Sequence, residues 1–338
     1  MASANEAPGQ TDWPLIYAII LNWNKFECTL ACIKSCLQSD YPRIQVILVD
    51  NNSQDGSGEK LAREMPEITY LPNMRNDGFA RGCNIGIRYA LTRPDCALIL
   101  LLNNDSELKR GALQSAVRRL QSSSEVGMVG GKILTGPSSG RIWTAGGYMN
   151  MRLGRAESRG VQADDLGQFD QPVKVTFVTA AMALMRASAI EQIGLIPDEY
   201  FFGQEEWDLS VKMDRAGYEL WYEPEFVSYH PGAGSHSNAD PVFIYNSYRN
   251  KLLFMNKYST RLKWKLWFFA FSRIYARFLA LNNLRKIHRS DSALSWELRY
   301  ALQSAIRDYR RYGRRPIQEN DLISFRNELD AVRLARMG

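Results

Sequence analysis

Within "FFGQEEWDLSVKMDRAGYELWYEPEFVSYHPGAGS", residues 201–235, two adjacent glutamates, Glu205 and Glu206, are followed by Asp208 and, about two dozen residues on, by His230. A carboxylate can take a proton from an attacking hydroxyl, and a histidine can ligate a metal. Adjacent residues on a helix point about 100° apart, so only one of the two glutamates can face a given pocket. The other acids are left to orient the base, hold a second substrate or sit favourably in a first helical turn. A second group stands at "LLLNNDSEL", where an apolar run delivers Asn103, Asn104 and Asp105 to a strand end. An acid there needs solvent or a cation, and Mg²⁺ or Mn²⁺ suits an oxygen donor; an exposed turn capping the next helix is the competing reading. A third is Asp50, Asn51, Asn52 and Ser53, able to meet a base or ribose or to form a turn.

These groups need a frame. "LIYAIILNW", "IQVILVD", "ITYLP" and "CALILLLN" read as strands, with helices over 26–38, over "GEKLAREM" and from Phe79 to Leu91 between them. That alternation predicts an α/β fold with a mostly parallel sheet covered by helices on both faces, and ligands at the carboxyl ends of its strands. Polar residues gather at those ends: Asn22 and Asn24, "DNNSQDGS", "NMRNDGFARG" and "NNDSEL". "NDGFARGCN", holding Gly78, Gly82 and Asn84, does not match the G-x-G-x-x-G dinucleotide pattern, although its helix N-terminus suits a phosphate. Residues 136–172 read as loops and hairpins, "VKVTFVTAAMALMR" as a strand pair leading to a helix near Ala187, "EEWDLSVKMDRAGY" as a helix, and "ELWYEPEFVSYH" as two short strands. From Pro241 nearly everything reads as helix. The expected division is a flexible tail over 1–13, an α/β domain over 14–240 and a basic helical region over 241–338.

Composition narrows the class. The net charge is +6, yet from Arg249 onward 20 Lys and Arg stand against 7 Asp and Glu, so the basic character belongs to the last quarter. No nucleic-acid motif accompanies it. Cys28, Cys32 and Cys36 recur every fourth residue and predict one buried helical stripe, and no C-x-x-C pair is present. The first residues carry neither a basic region nor an apolar run, which predicts a cytoplasmic protein. "WKLWFFAFSRIYARFLALNNL", from Trp264, is interrupted by Lys265, Arg273 and Arg277. It reads as an amphipathic helix that either lies on an anionic membrane surface, through Trp264, Trp267, Phe268 and Phe271, or packs on a neighbouring domain.

In order, "ILNWN", "VDNNSQDGS", "RNDGFARGCNIG", "LLLNNDSEL", "DEYFFGQEEWDLSVKMDRAGY" and "YHPGAGS" resemble the family 2 glycosyltransferases, in particular rhamnosyltransferase-like and galactofuranosyltransferase-like members. The resemblance runs from Leu15 to Ser235, and "YNSYRNKLLFMNKYS" is similar to the family's helical continuation. It implies a GT-A fold and an inverting transfer of a sugar, rhamnose first, from a dTDP- or UDP-linked donor to a glycan or lipid-linked glycan, at the inner face of the cell membrane. By the same resemblance Asp50 meets the nucleotide, Asn76 and Gly82 line the donor loop with Asn22, Asn52, Gly78, Asn84 and Asn104 on the same rim, Asp105 and His230 hold Mg²⁺ or Mn²⁺, and Glu206 is the base. Asn103 stands where many members have the first carboxylate of Asp-x-Asp, and Glu205-Glu206 stands where many have Glu-Asp. A nucleotidyltransferase is the alternative enzyme; it would carry a Gly-rich basic loop after the first strand, where this chain has "LNWNKFECTL". A basic module binding nucleic acid or acidic lipid is the non-catalytic alternative.

Overall fold

The computed structural model describes residues 13–230, 240–275 and 292–337. The tail before Trp13, the "PGAGS" loop, His236, Arg277 and His288 lie outside the described residues. The first half alternates strand and helix: β1 (Ile16–Asn22), α1 (Phe26–Leu37), β2 (Ile44–Asp50), α2 (Ser57–Glu64), β3 (Thr69–Pro72), α3 (Gly78–Leu91) and β4 (Leu98–Asn103). Then follow β5 (Glu107–Leu108), α4 (Ala112–Gln121), β6 (Val126–Leu134), β7 (Ile142–Ala145), the hairpin β8 (Gly147–Asn150) and β9 (Arg155–Ser158), β10 (Val173–Val175), β11 (Met182–Arg186), α5 (Ala187–Ile193), α6 (Glu205–Arg215) and β12 (Glu219–Tyr229). The C-terminal helices are α7 (Pro241–Tyr258), α8 (Arg261–Ala270) with a π-helical turn over Phe271–Tyr275, α9 (Ser292–Tyr312) and α10 (Glu319–Met337).

The main sheet runs β10-β12-β6-β11-β4-β1-β2-β3, with β5 on β12 and β7 on β6. Strands β3, β2, β1 and β4 are parallel, β12 is parallel to β6, and β11 runs antiparallel between β4 and β6. Side chains alternate along each strand, and both faces are apolar because both are covered. Ile16, Ala18 and Ile20 of β1 pack with Ile33 of α1 and Leu113 and Val117 of α4. Tyr17 and Ile19 pack on the opposite face with Ile87 of α3 and Leu209 of α6. The expected α/β architecture, mostly parallel and flanked by helices with a helical C-terminal extension, is the one observed.

Three local readings change. "ELWYEPEFVSYH" is a single strand, β12, whose register against β6 shifts between Glu223 and Val227 around Pro224. Proline has no N–H for the ladder, so the strand bulges instead of ending. The bulge presses on Gly131, where a Cβ would lie 1.8 Å from the Phe226 carbonyl oxygen. Helix α4 and strand β6, unassigned in the sequence reading, complete the sheet. In the cysteine stripe Cys32 and Cys36 are buried but Cys28 is exposed.

Candidate active site

The parallel register sets Asn22 beside Asp50, and Leu21 beside Asn103, so the carboxyl ends of β1, β2 and β4 form one rim. At its centre Asn22 is fully buried and spent on its neighbours. Its Nδ2 donates to Asp50 Oδ1 at 2.8 Å, Ser53 Oγ at 3.0 Å and Ser57 Oγ at 2.8 Å, and its Oδ1 accepts from Thr29 Oγ1 at 2.8 Å. Asn104 Nδ2 donates to the same Thr29 hydroxyl at 2.9 Å. Asp50 also accepts the Ser53 N–H and hydroxyl, at 3.0 and 2.6 Å. The carboxylate fills the space a side chain on Gly58 would need, since a Cβ there would lie 2.4 Å from Asp50 Cγ. The turn reading and the polar-rim reading of residues 50–53 therefore describe one object, with Asn52 at φ 62° in the left-handed region.

The loop before α3 is tied to this rim by amides. Asn51 Nδ2 donates to Asn76 Oδ1 at 2.8 Å and to the Gly78 carbonyl at 3.2 Å, and Asn76 Nδ2 reaches Glu319 of α10 at 3.1 Å. Gly78, at φ 79°, is required by close approach: a Cβ would sit 2.1 Å from the Phe201 carbonyl oxygen, which accepts the Phe79 N–H at 2.8 Å. Gly82 and Asn84 sit deeper. A Cβ on Gly82 would meet Leu21 Cδ1 at 2.5 Å, so this glycine lets α3 close on β1. Asn84 is buried, with both ends of its amide bonded to the Ile196 backbone.

His230 reaches the rim through the sheet. Strand β5 pairs with the end of β12, Ser228 opposite Leu108 and Tyr229 opposite Glu107, which carries the following residue back beside Asp105. His230 Nε2 lies 3.1 Å from Asp105 Oδ1 and 3.3 Å from Asn103 Nδ2, and the imidazole stacks on Trp143 at 5.0 Å between centroids. Burial pushes the Asp105 carboxyl up; the hydrogen bond and charge of His230, its own backbone N–H and Lys25 outweigh that and hold it below the usual range. Among the described residues no cluster of three or more His, Cys, Asp or Glu is arranged to hold a metal.

The three acids in the first turn of α6 go three ways. Glu206, partly exposed, accepts the Thr179 hydroxyl at 2.8 Å and the Ala180 N–H at 2.9 Å. Burial raises its pKa, and these two donors temper the rise. Glu205 is 5 % exposed; burial, then the Glu206 charge, pushes its pKa up to about 8. Asp208 is fully buried, bonded to Tyr200 Oη at 2.9 Å, to Lys257 Nζ at 2.8 Å and to the Tyr258 hydroxyl. Residues 179–181 join the groups: Ala180 N–H holds Glu206, and the Ala181 carbonyl accepts the Asn103 N–H at 3.0 Å. Glu206 and the Asn103, Asp105, His230 group thus attach to successive residues of one short segment. Thr179, Trp143 and Lys257 had no sequence signal, because each meets its partner only through the folded topology.

Residues 17–194, more than half the chain, match the model of the family described as glycosyl transferase family 2. A curated relative, Glycosyltransferase AglE of Haloferax volcanii, is 24% identical over 227 residues, spanning 64% of this chain and 67% of that protein. Among solved structures, the mannosyltransferase PcManGT from Pyrobaculum calidifontis, in complex with GDP-Man and Mn²⁺, superposes with a TM-score of 0.55 at 14% identity, covering 92% of this chain and 91% of that one. GalNAc-T7 with UDP, GalNAc and Mn²⁺ superposes with a TM-score of 0.58 at 14% identity, covering 86% of this chain and 55% of that one. The strand-helix order, the polar rim and these likenesses agree, and the chain belongs to glycosyl transferase family 2 with a GT-A-like fold.

Proposed function

We propose that this glycosyltransferase moves a sugar from a nucleoside diphosphate donor to an acceptor hydroxyl of a glycan or lipid-linked glycan, in one displacement that inverts the anomeric carbon. The observation that carries the reading is the 179–181 segment, which holds the Glu206 carboxylate one residue from the strand contact of Asn103. Glu206 takes the proton of the acceptor hydroxyl as its oxygen attacks the anomeric carbon, and the bond to the nucleoside diphosphate breaks on the opposite side. Glu205, only 5 % exposed, is less open to an acceptor than the partly exposed Glu206, and Asp208 is occupied by Tyr200, Tyr258 and Lys257. Asp50 and its network shape the nucleotide end of the rim. Gly78 gives the donor loop its close seat against Phe201.

One carboxylate and one imidazole, with Asn103 alongside, fit a Mg²⁺ or Mn²⁺ ion that takes its remaining oxygens from substrate phosphates rather than from an all-protein cage. Asp105 and His230 would hold such an ion, which would supply positive charge to the departing diphosphate. The motif order supports rhamnose carried on dTDP, with a UDP-sugar as the second choice; the two solved neighbours bind GDP-Man and UDP. The test is thermal stabilisation by dTDP, UDP and GDP, each with Mg²⁺, Mn²⁺ or chelator. A ligand at about 100 times its Kd adds ~2.7 kcal/mol. Metal-dependent stabilisation by dTDP or UDP that Asp105→Ala abolishes is expected, and nucleotide binding indifferent to both metal and Asp105 would refute the metal assignment.

A further inference from the structure

The aromatic cluster of α8 faces inward. Trp264 meets Tyr309 edge-on and Trp267 stacks on Phe271, at 5.5 and 4.8 Å between centroids, and Phe271 is 1 % exposed. Trp264 and Phe268 both meet Tyr309 of α9, so these rings are engaged in packing. Leu262, Leu266 and Phe269, at positions i, i+4 and i+7, form the outward stripe and are 68%, 64% and 59% exposed. No α8 residue is buried. Cations border the stripe: residues 261–273 hold Arg261, Lys263, Lys265 and Arg273 and no acid. At its end an open basin of about 570 Å³ is lined by Arg273, Arg310 and Arg311 together with Arg307. Arg307 is paired with Glu328 and Asp308, whereas Arg273 and Arg310 lie over the rings of Phe269 and Phe268, with no carboxylate partner among the described residues.

We propose that the α8 stripe of Leu262, Leu266 and Phe269, with the Arg273–Arg310–Arg311 basin beside it, docks the enzyme on an anionic phospholipid surface. Three apolar side chains on one helical face suit shallow insertion at the boundary between headgroups and acyl chains. The arginines are pre-oriented by ring stacking, and guanidinium groups match lipid phosphates. A second copy of the chain is a poorer occupant, because a two-fold contact through this stripe would set the same cations against one another. A nucleic acid would use the arginines and leave the leucines without purpose.

The experiment is co-sedimentation of the full chain with vesicles of phosphatidylcholine alone and of phosphatidylcholine with phosphatidylglycerol, at low and high salt. Binding to the anionic vesicles that weakens with salt is expected, each cation contributing about fivefold in partition. The triple change Leu262→Gln, Leu266→Gln, Phe269→Gln, and separately Arg273→Glu with Arg310→Glu, should each lower partition at least tenfold. Circular dichroism and nucleotide-induced thermal stabilisation, which do not involve this face, report that the variants are folded. Failure of the parent chain to bind anionic vesicles at low salt, or full binding by the folded Gln variant, would overturn the proposal. So would a parent dimer that ignores vesicles and dissociates in the Gln variant, since that gives the stripe to a second copy.

Discussion

At the scale of single residues, two neighbouring glutamates whose pKa values are both raised by burial meet different partners. Glu206 meets an N–H and a hydroxyl that favour its charged form, whereas Glu205 has only its own backbone neighbours to offset burial. Glu206→Gln keeps size and removes basicity, so donor binding should persist while transfer falls by roughly 10²- to 10⁴-fold. Calorimetry for the donor and a transfer assay on a defined acceptor check this; a larger transfer loss in Glu205→Gln would move the base one residue upstream. Glu205 makes a separate, thermodynamic prediction. A glutamate ionises at about 4.5 in the unfolded chain, and folded Glu205 keeps its proton up to about 8. Across that window the native state binds more protons than the unfolded state, so this residue lowers stability progressively as pH rises from about 4.5 to about 8 and no further beyond it. Glu205→Gln removes the effect. Its melting advantage over the parent should therefore be small near pH ~5 and greatest above pH ~8, and a constant difference across that range would sink the explanation. The identities of these acids were legible in the sequence, but their division of roles was not: it depends on Thr179 and Ala180, far along the chain, and on which side of α6 meets α3.

At the scale of elements, the helix that carries the acids is set by another helix. Asn246 and Asn250 of α7 donate to the Phe202 carbonyl at 2.6 and 2.9 Å, and Asn250 also to that of Gly203 at 2.9 Å. The next two positions lie in the left-handed region, Gly203 at φ 79° and Gln204 at φ 71°, and a non-glycine residue there persists only when its surroundings hold it. Asp208, one turn into α6, is bound by Lys257 and Tyr258 at the far end of α7. We expect Asn250→Ala to lower turnover by roughly tenfold or more through misplacement of Glu206, with nucleotide affinity little changed. The accompanying stability loss should be about 1–3 kcal/mol, the cost of stranding a buried carbonyl. A variant that is destabilised yet turns over normally would show that α7 does not position the base. The strands and helices of the first hundred residues were readable because both faces of the sheet are covered, which writes long apolar runs between polar strand ends. Strand β12 was misread as two because Pro224 looks like a terminator and the accommodating Gly131 lies on another strand. The antiparallel insertion of β11 between β4 and β6 has no local signature either, since a buried strand looks alike in both directions.

At the scale of the molecule, the C-terminal helices build a buried cluster of their own that draws in part of the α/β region. Tyr200, Phe201 and Val211, from the α/β part, share one buried cluster with Leu252 and Phe254 of α7, Leu302 of α9 and Phe325 of α10. Phe254 is fully buried, with its ring 5.7 Å from that of Trp207 on α6. Glu319 at the start of α10 accepts from Asn76 on the loop before α3, so the helices touch the rim as well as α6. Because that cluster ties Tyr200, Phe201 and Val211 to the C-terminal helices, the full chain should unfold in a single transition followed alike by near-ultraviolet and far-ultraviolet circular dichroism. Phe254→Ala tests the seam directly. Removing a buried aromatic costs about 3–5 kcal/mol when the cavity does not collapse, and for a chain of this size that is a fall in Tm of roughly 4–7 °C. Because Phe254 packs on the helix bearing Glu206, transfer should also weaken at temperatures well below the new Tm. Two separated transitions in the parent chain, or a Phe254→Ala protein in which only the C-terminal helices melt early while transfer is retained, would show that the helices are an appendage and not part of the catalytic fold.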